Sequence, residues 1–328
     1  MEHEINIVVI PEKEVHPYAD ALSIVRINGE QLVINHEWNT GDMAVLIPAD
    51  FFVPATKPFE FLGNKAKHRR IKPRSIRGVW SEGLMLPVTE FPELNGLSVG
   101  TNVMQILGIE RYDFENVFHN PKISTIQDVL TSEPPGITTK KYQLLNYKKD
   151  GAALHEGEHV RVTEKIHGSN ACYGLVNGKV YIGTRNMWVD WEKSPSPQAK
   201  FYRSEAAKEL KEWMEANPNK LIYGEVFGWV ATLRYGAEPN DVYFRAFDVW
   251  DEHRGWCMPP GHLSVPVLYD GPFYEAAIKE FVDGKTLIPG ADHIREGLVI
   301  EPLPSRHDDY LGRLKFKWVS NDYLAGGF

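Results

Sequence analysis

The sequence predicts an α+β protein of two domains, a small β-barrel followed by a larger mixed domain, and three observations lead there. The chain has 328 residues, more than the roughly 100–200 of a usual single domain. Its first hundred residues read as short apolar runs broken by turn signals. Beyond residue 140, strand-like runs mix with helical periodicity. The composition, 43% hydrophobic and 24% charged, is that of a globular protein and excludes a disordered, collagen-like or coiled-coil chain.

No apolar run approaches the ~20 residues of a membrane helix, and Ile5–Ile10 is too short and lacks a basic leader, so neither a membrane span nor a secretory signal is expected. Two cysteines, Cys172 and Cys257, cannot build a disulfide framework or a four-thiolate zinc site, and no N-glycosylation sequon occurs. The expected location is the reducing cytoplasm. A net charge of −8 argues against nucleic acid until its distribution is read. Lys65, Lys67, Arg69, Arg70, Lys72, Arg74 and Arg77 place seven cations in one acid-free stretch, leaving −15 on the rest. Such a block is either a solvated loop or an electrostatic docking surface.

The strands of the first domain are expected at Ser23–Ile27, Gln31–Asn35, Met43–Pro48 and Gly83–Pro87. Asn28-Gly29 predicts a tight hairpin, because both central residues of a type I′ turn need positive φ. His16–Asp20 reads as the loop leading into it. Short strands at this spacing fit an OB-like barrel ending near residue 100. Residues 101–140 read as a linker with a short helix at Ile123–Leu130, stopped by Pro134-Pro135-Gly136. The second domain, 141–328, is expected to hold strands at Val160–Lys165, Lys179–Gly183, Leu221–Phe227, Val242–Trp250, Gly297–Leu303 and Arg313–Val319. Apolar spacing predicts helices over Phe201–Ala216, ended by Asn217-Pro218, and over Glu275–Phe281.

His155-Glu156-Gly157-Glu158-His159 satisfies the zinc-protease pattern by letter only. That chemistry needs both histidines on one helical face, whereas Gly157 and the β-type run after it predict a surface turn. The informative positions lie on strand faces. Alternation sets Arg161, Thr163 and Lys165 opposite Val160 and Val162, and Lys315 and Lys317 opposite the core-facing Leu314, Phe316 and Trp318. Likewise Tyr243, Arg245 and Phe247 oppose Val242, Phe244 and Ala246, and aromatics beside cations form a base-stacking candidate. Tyr223-Gly224-Glu225 and Arg295-Glu296-Gly297 each set a carboxylate next to a glycine, where a ligand can approach the backbone.

Singly, each of these is an ordinary solvated or structural residue. Their order is informative. The series Lys165-Ile166-His167-Gly168, Gly183-Thr184-Arg185-Asn186, Tyr223-Gly224-Glu225, Phe244–Asp248, Glu296–Ile300 and Leu314–Lys317 resembles the successive motifs of the covalent nucleotidyltransferases. Within them it is similar to the RNA ligases, whose first motif often reads K-x-H-G, and the leading barrel resembles the branch with an N-terminal OB domain. The fold so implied is an N-terminal OB-type β-barrel followed by an α+β nucleotidyltransferase (ligase adenylation) domain. The sequence ends shortly after the last motif, so no C-terminal domain is expected.

The resemblance implies ATP-dependent joining of RNA 3′-hydroxyl and 5′-phosphate ends through lysyl-AMP and RNA-adenylate intermediates, with Mg²⁺ or Mn²⁺. Lys165 would be the nucleophile; a free lysine amine is almost wholly protonated at neutral pH, and neighbouring cations favour its neutral form. Glu164, His167, Asn170, Arg185, Glu225, Phe247, Lys315 and Lys317 would form the nucleotide site, with Phe247 on adenine, Glu225 on the ribose, and both lysines on the α-phosphate. Glu296, through water, and Glu225 would serve the metal. His167 replaces the superfamily aspartate. Arg69, Arg70, Lys72 and Arg74 would grip RNA, with a nicked duplex as the expected partner and a monomer as the expected state. A DNA ligase, a GTP-using capping enzyme and a non-catalytic RNA-binding protein are the competing readings. The K-x-H-G form stands against the first two, and the full set of Lys165, Glu225, Glu296, Lys315 and Lys317 against the third.

Overall fold

The computed structural model describes residues 4–49, 51–63, 69–111, 129–140 and 142–326. They fall into two compact units, 1–116 with 321–327, and 117–320. In the first unit Asn6–Val9, Met43–Pro48 and Gly83–Pro87 pair antiparallel, and Leu22–Ile27 and Glu30–Asn35 form the expected hairpin. Asn28 and Gly29 turn it at φ 52° and 81°, as the Asn-Gly pair requires. Ile5, Ile7, Val45, Ile47, Phe59 and Phe91 fill the core.

The boundary expected at 100 is corrected by packing. Val103, Leu107 and Ile109 are buried in the same apolar cluster, and Glu110–Arg111 pairs with Phe51–Phe52. Residues 101–111 belong to the barrel unit because their apolar side chains complete its core. At the other end of the presumed linker, Leu130–Thr131 is a strand of the second unit, and Ile137 packs among its aromatics. The helix expected at Ile123–Leu130 lies outside the described residues up to 128, and Leu130 itself is in that strand. The short helix Asn321–Ala325 belongs with the first unit, where the Asn321 amide donates to Glu82.

Among the described residues the second unit holds two large sheets and one two-stranded pair. The larger, of seven strands, runs in spatial order Leu130–Thr131, Trp188–Val189, Lys179–Gly183, Ser169–Val176, Leu221–Gly228, Val242–Asp251 and Gly255–Cys257. The smaller, of five, runs Leu145–Asn146, Phe316–Val319, Gly297–Pro302, His159–Glu164 and Val267–Pro272. On one face of the larger sheet Tyr173, Phe244 and Ala246 pack against helices Pro197–Arg203 and Lys208–Ala216. On one face of the smaller, Val160, Val162, Ile300, Phe316 and Trp318 pack with Phe273 and Ile278. The two remaining faces carry the site.

Three elements differ from expectation. The helix expected over 201–216 is broken at Ser204, which takes an extended backbone while its hydroxyl donates to the Phe201 carbonyl at 2.7 Å. Its start is earlier, where Ser196 caps the Ala199 amide and Pro197 takes the first turn. The run Arg313–Val319 divides into Gly312–Arg313, paired with His307–Asp308, and Phe316–Val319. The second helix is shorter than expected, Glu275–Lys279.

Two glycines of the motifs are dictated by strand approach. A Cβ on Gly297, at φ 147°, would lie 2.2 Å from the Trp318 carbonyl oxygen. One on Gly168 would lie 2.2 Å from that of Val226. Neither backbone oxygen can move without breaking a ladder. Gly297→Ala should therefore lower stability by about 2 kcal/mol or more in urea unfolding, through overpacking and left-handed strain together. An unchanged unfolding midpoint would mean that the pairing relaxes freely.

Candidate active site

The strand His159–Glu164 ends where Lys165 enters a cleft between the two large sheets of the second unit. Tyr142, Phe247, Ile166, Val265 and Val299 supply apolar walls, and Lys165, Glu225 and Lys315 supply charge. That mixture suits a small ligand held by a few polar groups. The Lys165 amide donates to the Gly297 carbonyl at 3.0 Å, which joins the loop of Lys165 to the strand after Glu296. Lys165 Nζ donates to Glu296 Oε1 at 2.7 Å, with both side chains largely buried.

His167 is buried, its amide donating to the Tyr235 hydroxyl at 2.7 Å and its Nδ1 lying 3.9 Å from Glu296 Oε2. Burial lowers its proton affinity below the usual histidine range; Glu296 opposes this, while Lys165, His293 and Arg234 add to it. Glu164 is also buried, and its carboxylate accepts from the Thr286 hydroxyl and, at 2.7 Å, from the Leu287 amide. Burial raises its pKa against those hydrogen bonds. This carboxylate ties the strand end to the Thr286–Leu287 loop, and the residue also lines the cleft.

On the larger sheet, Asn170 and Glu225 are register partners on neighbouring strands, and Glu225 in turn faces Arg245 on the next. A bulge interrupts the last pairing, so that Gly224 opposes Ala246 while Tyr223 opposes Asp248, and Phe247 is the extra residue. The bulge re-aims side chains beside the site. Ala246 and Val249 stay on the helix-covered face, while Phe247 and Asp248 both contact Tyr142 on the cleft face.

Asp248 anchors a closed charge network. Its carboxylate accepts from Lys315 Nζ at 2.7 Å, from both Nη atoms of Arg313 at 2.8 and 3.0 Å, and from the Tyr142 hydroxyl. Lys315 reaches Glu301 at 2.9 Å, and Arg313 pairs with Glu301 as well. Burial opposes ionisation of Asp248, but the Lys315 ammonium and the Arg313 guanidinium prevail and hold its carboxyl below the usual range. Burial likewise opposes charge on Arg313, yet Asp248 and Glu301 raise its pKa further. Lys315 was expected to project toward phosphate. It does line the cleft, but at 5% exposure, committed to two carboxylates.

The remaining expected residues are less gathered. Lys317 is half-buried on Phe316–Val319, opposite Val299, and Arg185 is exposed on the turn after Lys179–Gly183; neither lines the cleft. Among the described residues no three metal-ligating side chains converge. In the first unit Arg74 is exposed on the hairpin strand Arg74–Ile76, and Arg70 and Lys72 are half-buried. Arg69 is drawn inward, donating to the Val53 carbonyl at 3.3 Å, and Lys65 and Lys67 lie outside the described residues. Tyr142, Asp248, Glu301 and Arg313 escaped the sequence reading as site residues. The only signal for them was that Asp248 and Arg313 adjoin Phe247 and Leu314 in the motifs.

The RNA ligase family model matches residues 158–319, and an OB-fold domain model matches residues 5–88. A Naegleria gruberi RNA ligase mutant solved with ATP and Mn is 22% identical, with 99% of each chain covered and a TM-score of 0.73. The RNA ligase of the same organism with pyrophosphate is 23% identical, again over 99% of each chain, with a TM-score of 0.70. Among curated proteins no relative matches. The fold is that of a polynucleotide ligase core. More particularly, residues 158–319 form an RNA ligase domain, with an OB-fold domain ahead of it.

The charge network yields a prediction. Asp248→Asn should lower stability by about 3–5 kcal/mol near pH 7, since two buried cations would keep one shared carboxylate. The depressed native value means that Asp248 stays ionised to lower pH folded than unfolded. Its contribution is whole above about pH 4 and is lost as pH falls through the folded value. Urea unfolding of both proteins should show the gap narrowing toward about pH 3; a constant gap would place the acid transition elsewhere.

Proposed function

We propose that this RNA ligase uses ATP to join a 3′-hydroxyl to a 5′-phosphate through a lysyl-AMP on Lys165. The carrying observation is the Lys165–Glu296 pair, at 2.7 Å, beside a cleft walled by Phe247 and Tyr142. The Naegleria relatives with ATP and Mn, and with pyrophosphate, support ATP as the nucleotide and a divalent cation as its companion. Glu296 and Glu225 would share that cation with substrate phosphates, since the described residues offer no cage of their own. When bound, it would offset phosphate charge.

The rest follows from this chain's residues. Phe247 offers adenine a stacking face, and Glu225 faces the cleft where a ribose hydroxyl would lie. Glu296 Oε1 is the acceptor within reach of the Lys165 proton. The amine then attacks the α-phosphorus, a P–N bond forms, the bond to the β-phosphate breaks, and pyrophosphate leaves. The 5′-phosphate of RNA takes AMP from Lys165 and restores the amine. The 3′-hydroxyl finally displaces AMP and loses its proton to solvent. Adenylation thus supplies the leaving group that a bare phosphate lacks. Lys315, locked by Asp248 and Glu301, would lend fixed positive potential, and Lys317 and Arg185 would act on phosphate once substrate is bound. The substrate best suited to a ligase carrying the basic block of residues 65–77 is a nicked duplex, sealed by a monomer in the cytoplasm.

Lys165→Ala should abolish transfer of AMP to the protein, read by intact mass after incubation with ATP and Mn²⁺, while retaining partial sealing of RNA supplied with a pre-adenylated 5′ end. Normal AMP attachment to the variant would exclude Lys165. Neutralising Arg70, Lys72 and Arg74 together should spare AMP transfer, impair sealing, and flatten the salt dependence of RNA binding by a slope of about 0.7–0.9 per lost phosphate contact. Unchanged sealing and salt slope would assign the block to solvent.

A further inference from the structure

The cleft-facing side of the larger sheet does not end at Phe247. Alternation along Val242–Asp251 sets Tyr243 and Arg245 on the same face, with Tyr243 roughly 13 Å outward at ~3.4 Å per residue. Tyr243 is 37% exposed, and Trp229, just beyond the neighbouring strand, is 41% exposed. The Arg234 guanidinium lies 4.1 Å above the Trp229 ring. We propose that Tyr243, Trp229 and Arg234 form a stacking subsite for the terminal nucleotides of the RNA end brought to Lys165. The inference rests on the ligase reading above.

Packing joins these exposed rings to the nucleophile. Tyr243 contacts Phe227 at 5.9 Å between ring centroids, Phe227 contacts Tyr235 at 5.0 Å, and the Tyr235 hydroxyl takes the His167 amide at 2.7 Å. His167 stands two residues after Lys165. Arg234, next to Tyr235, is near enough to depress protonation of His167 along with burial, Lys165 and His293. The turn presenting Trp229 is also fixed. Gly228 sits at φ 96° with no room for a Cβ, 2.8 Å from the Asp241 oxygen, and the Trp229 amide donates to that same carbonyl at 2.7 Å.

The chemistry matches a strand end. Every base has a π-face, so exposed aromatics accept any sequence, and a guanidinium beside them contacts the phosphate between stacked bases. An RNA ligase must hold its ends in line whatever their sequence. A tryptophan that served only to pack its own arginine would have no need to keep 41% of its surface open, one aromatic network away from the nucleophile.

The test compares the wild-type chain with Trp229→Ala, Tyr243→Ala, Arg234→Ala and Trp229→Phe. AMP attachment is read by intact mass, sealing on a nicked RNA duplex, and affinity by anisotropy of labelled 5′-phosphate and 3′-hydroxyl oligoribonucleotides. Each aromatic-to-Ala change should reduce sealing kcat/KM about tenfold with AMP attachment unchanged. Trp229→Phe should restore most of it, and the oligonucleotide that loses affinity identifies the strand held. Unchanged sealing and affinity overturn the subsite. So does a parallel fall of AMP attachment, sealing and thermal midpoint, which would make these rings structural. A wild-type chain that never takes up AMP would instead fail the ligase reading itself, before any variant is compared.

Discussion

Asp248 holds the two sheets of the ligase domain in register. It stands on a strand of the larger sheet, its partners Lys315 and Arg313 adjoin Phe316–Val319 of the smaller, and Glu301 completes the network from Gly297–Pro302. Desolvating four charges is costly, and an apolar substitute of like volume would often serve stability as well. What the ions add is direction. Fixed donors and acceptors set how far apart the sheets stand and place Lys315 and Tyr142 around the end of the cleft where Phe247 lies.

Lys165 depends on the same arrangement from the opposite side. Lys165 leaves its strand at a point where the Gly297 carbonyl takes its amide, and Glu296 takes its ammonium. Both contacts require that Gly297 lie against the Trp318 backbone, which a side chain would forbid. The histidine in the first motif fits this frame as a buried group. Disfavoured from protonation chiefly by burial, it leaves Glu296 with one cation to satisfy, the Lys165 ammonium.

The OB-fold unit contributes a different kind of surface. Of its basic block, Arg74 is open to solvent while Arg69 supports the barrel wall, so linear charge density overstates what is offered to phosphate. The same distinction separates Lys315 from Lys317. Both are lysines two positions apart on a face that alternation places opposite the core, yet the first is committed to a buried network and the second lies outside the cleft wall.

By itself the sequence determined much of this. Period-two alternation named the core residues of Val242–Asp251 and of Phe316–Val319, Asn28-Gly29 named the hairpin, and motif order drew attention to Lys165 and Phe247, which line one cleft. These are local properties, carried by neighbours within a few residues. It did not disclose the bulge at Phe247, the strand Ser169–Val176, the break at Ser204, or that residues 101–111 complete the barrel core. Nor did it join Tyr142 to Asp248, which are 106 residues apart. Tertiary structure decided those because each depends on what lies across the sheet or cleft. Whether a lysine meets water, a phosphate or a buried carboxylate is set by groups distant in the chain, whose burial changes the energy of its charge.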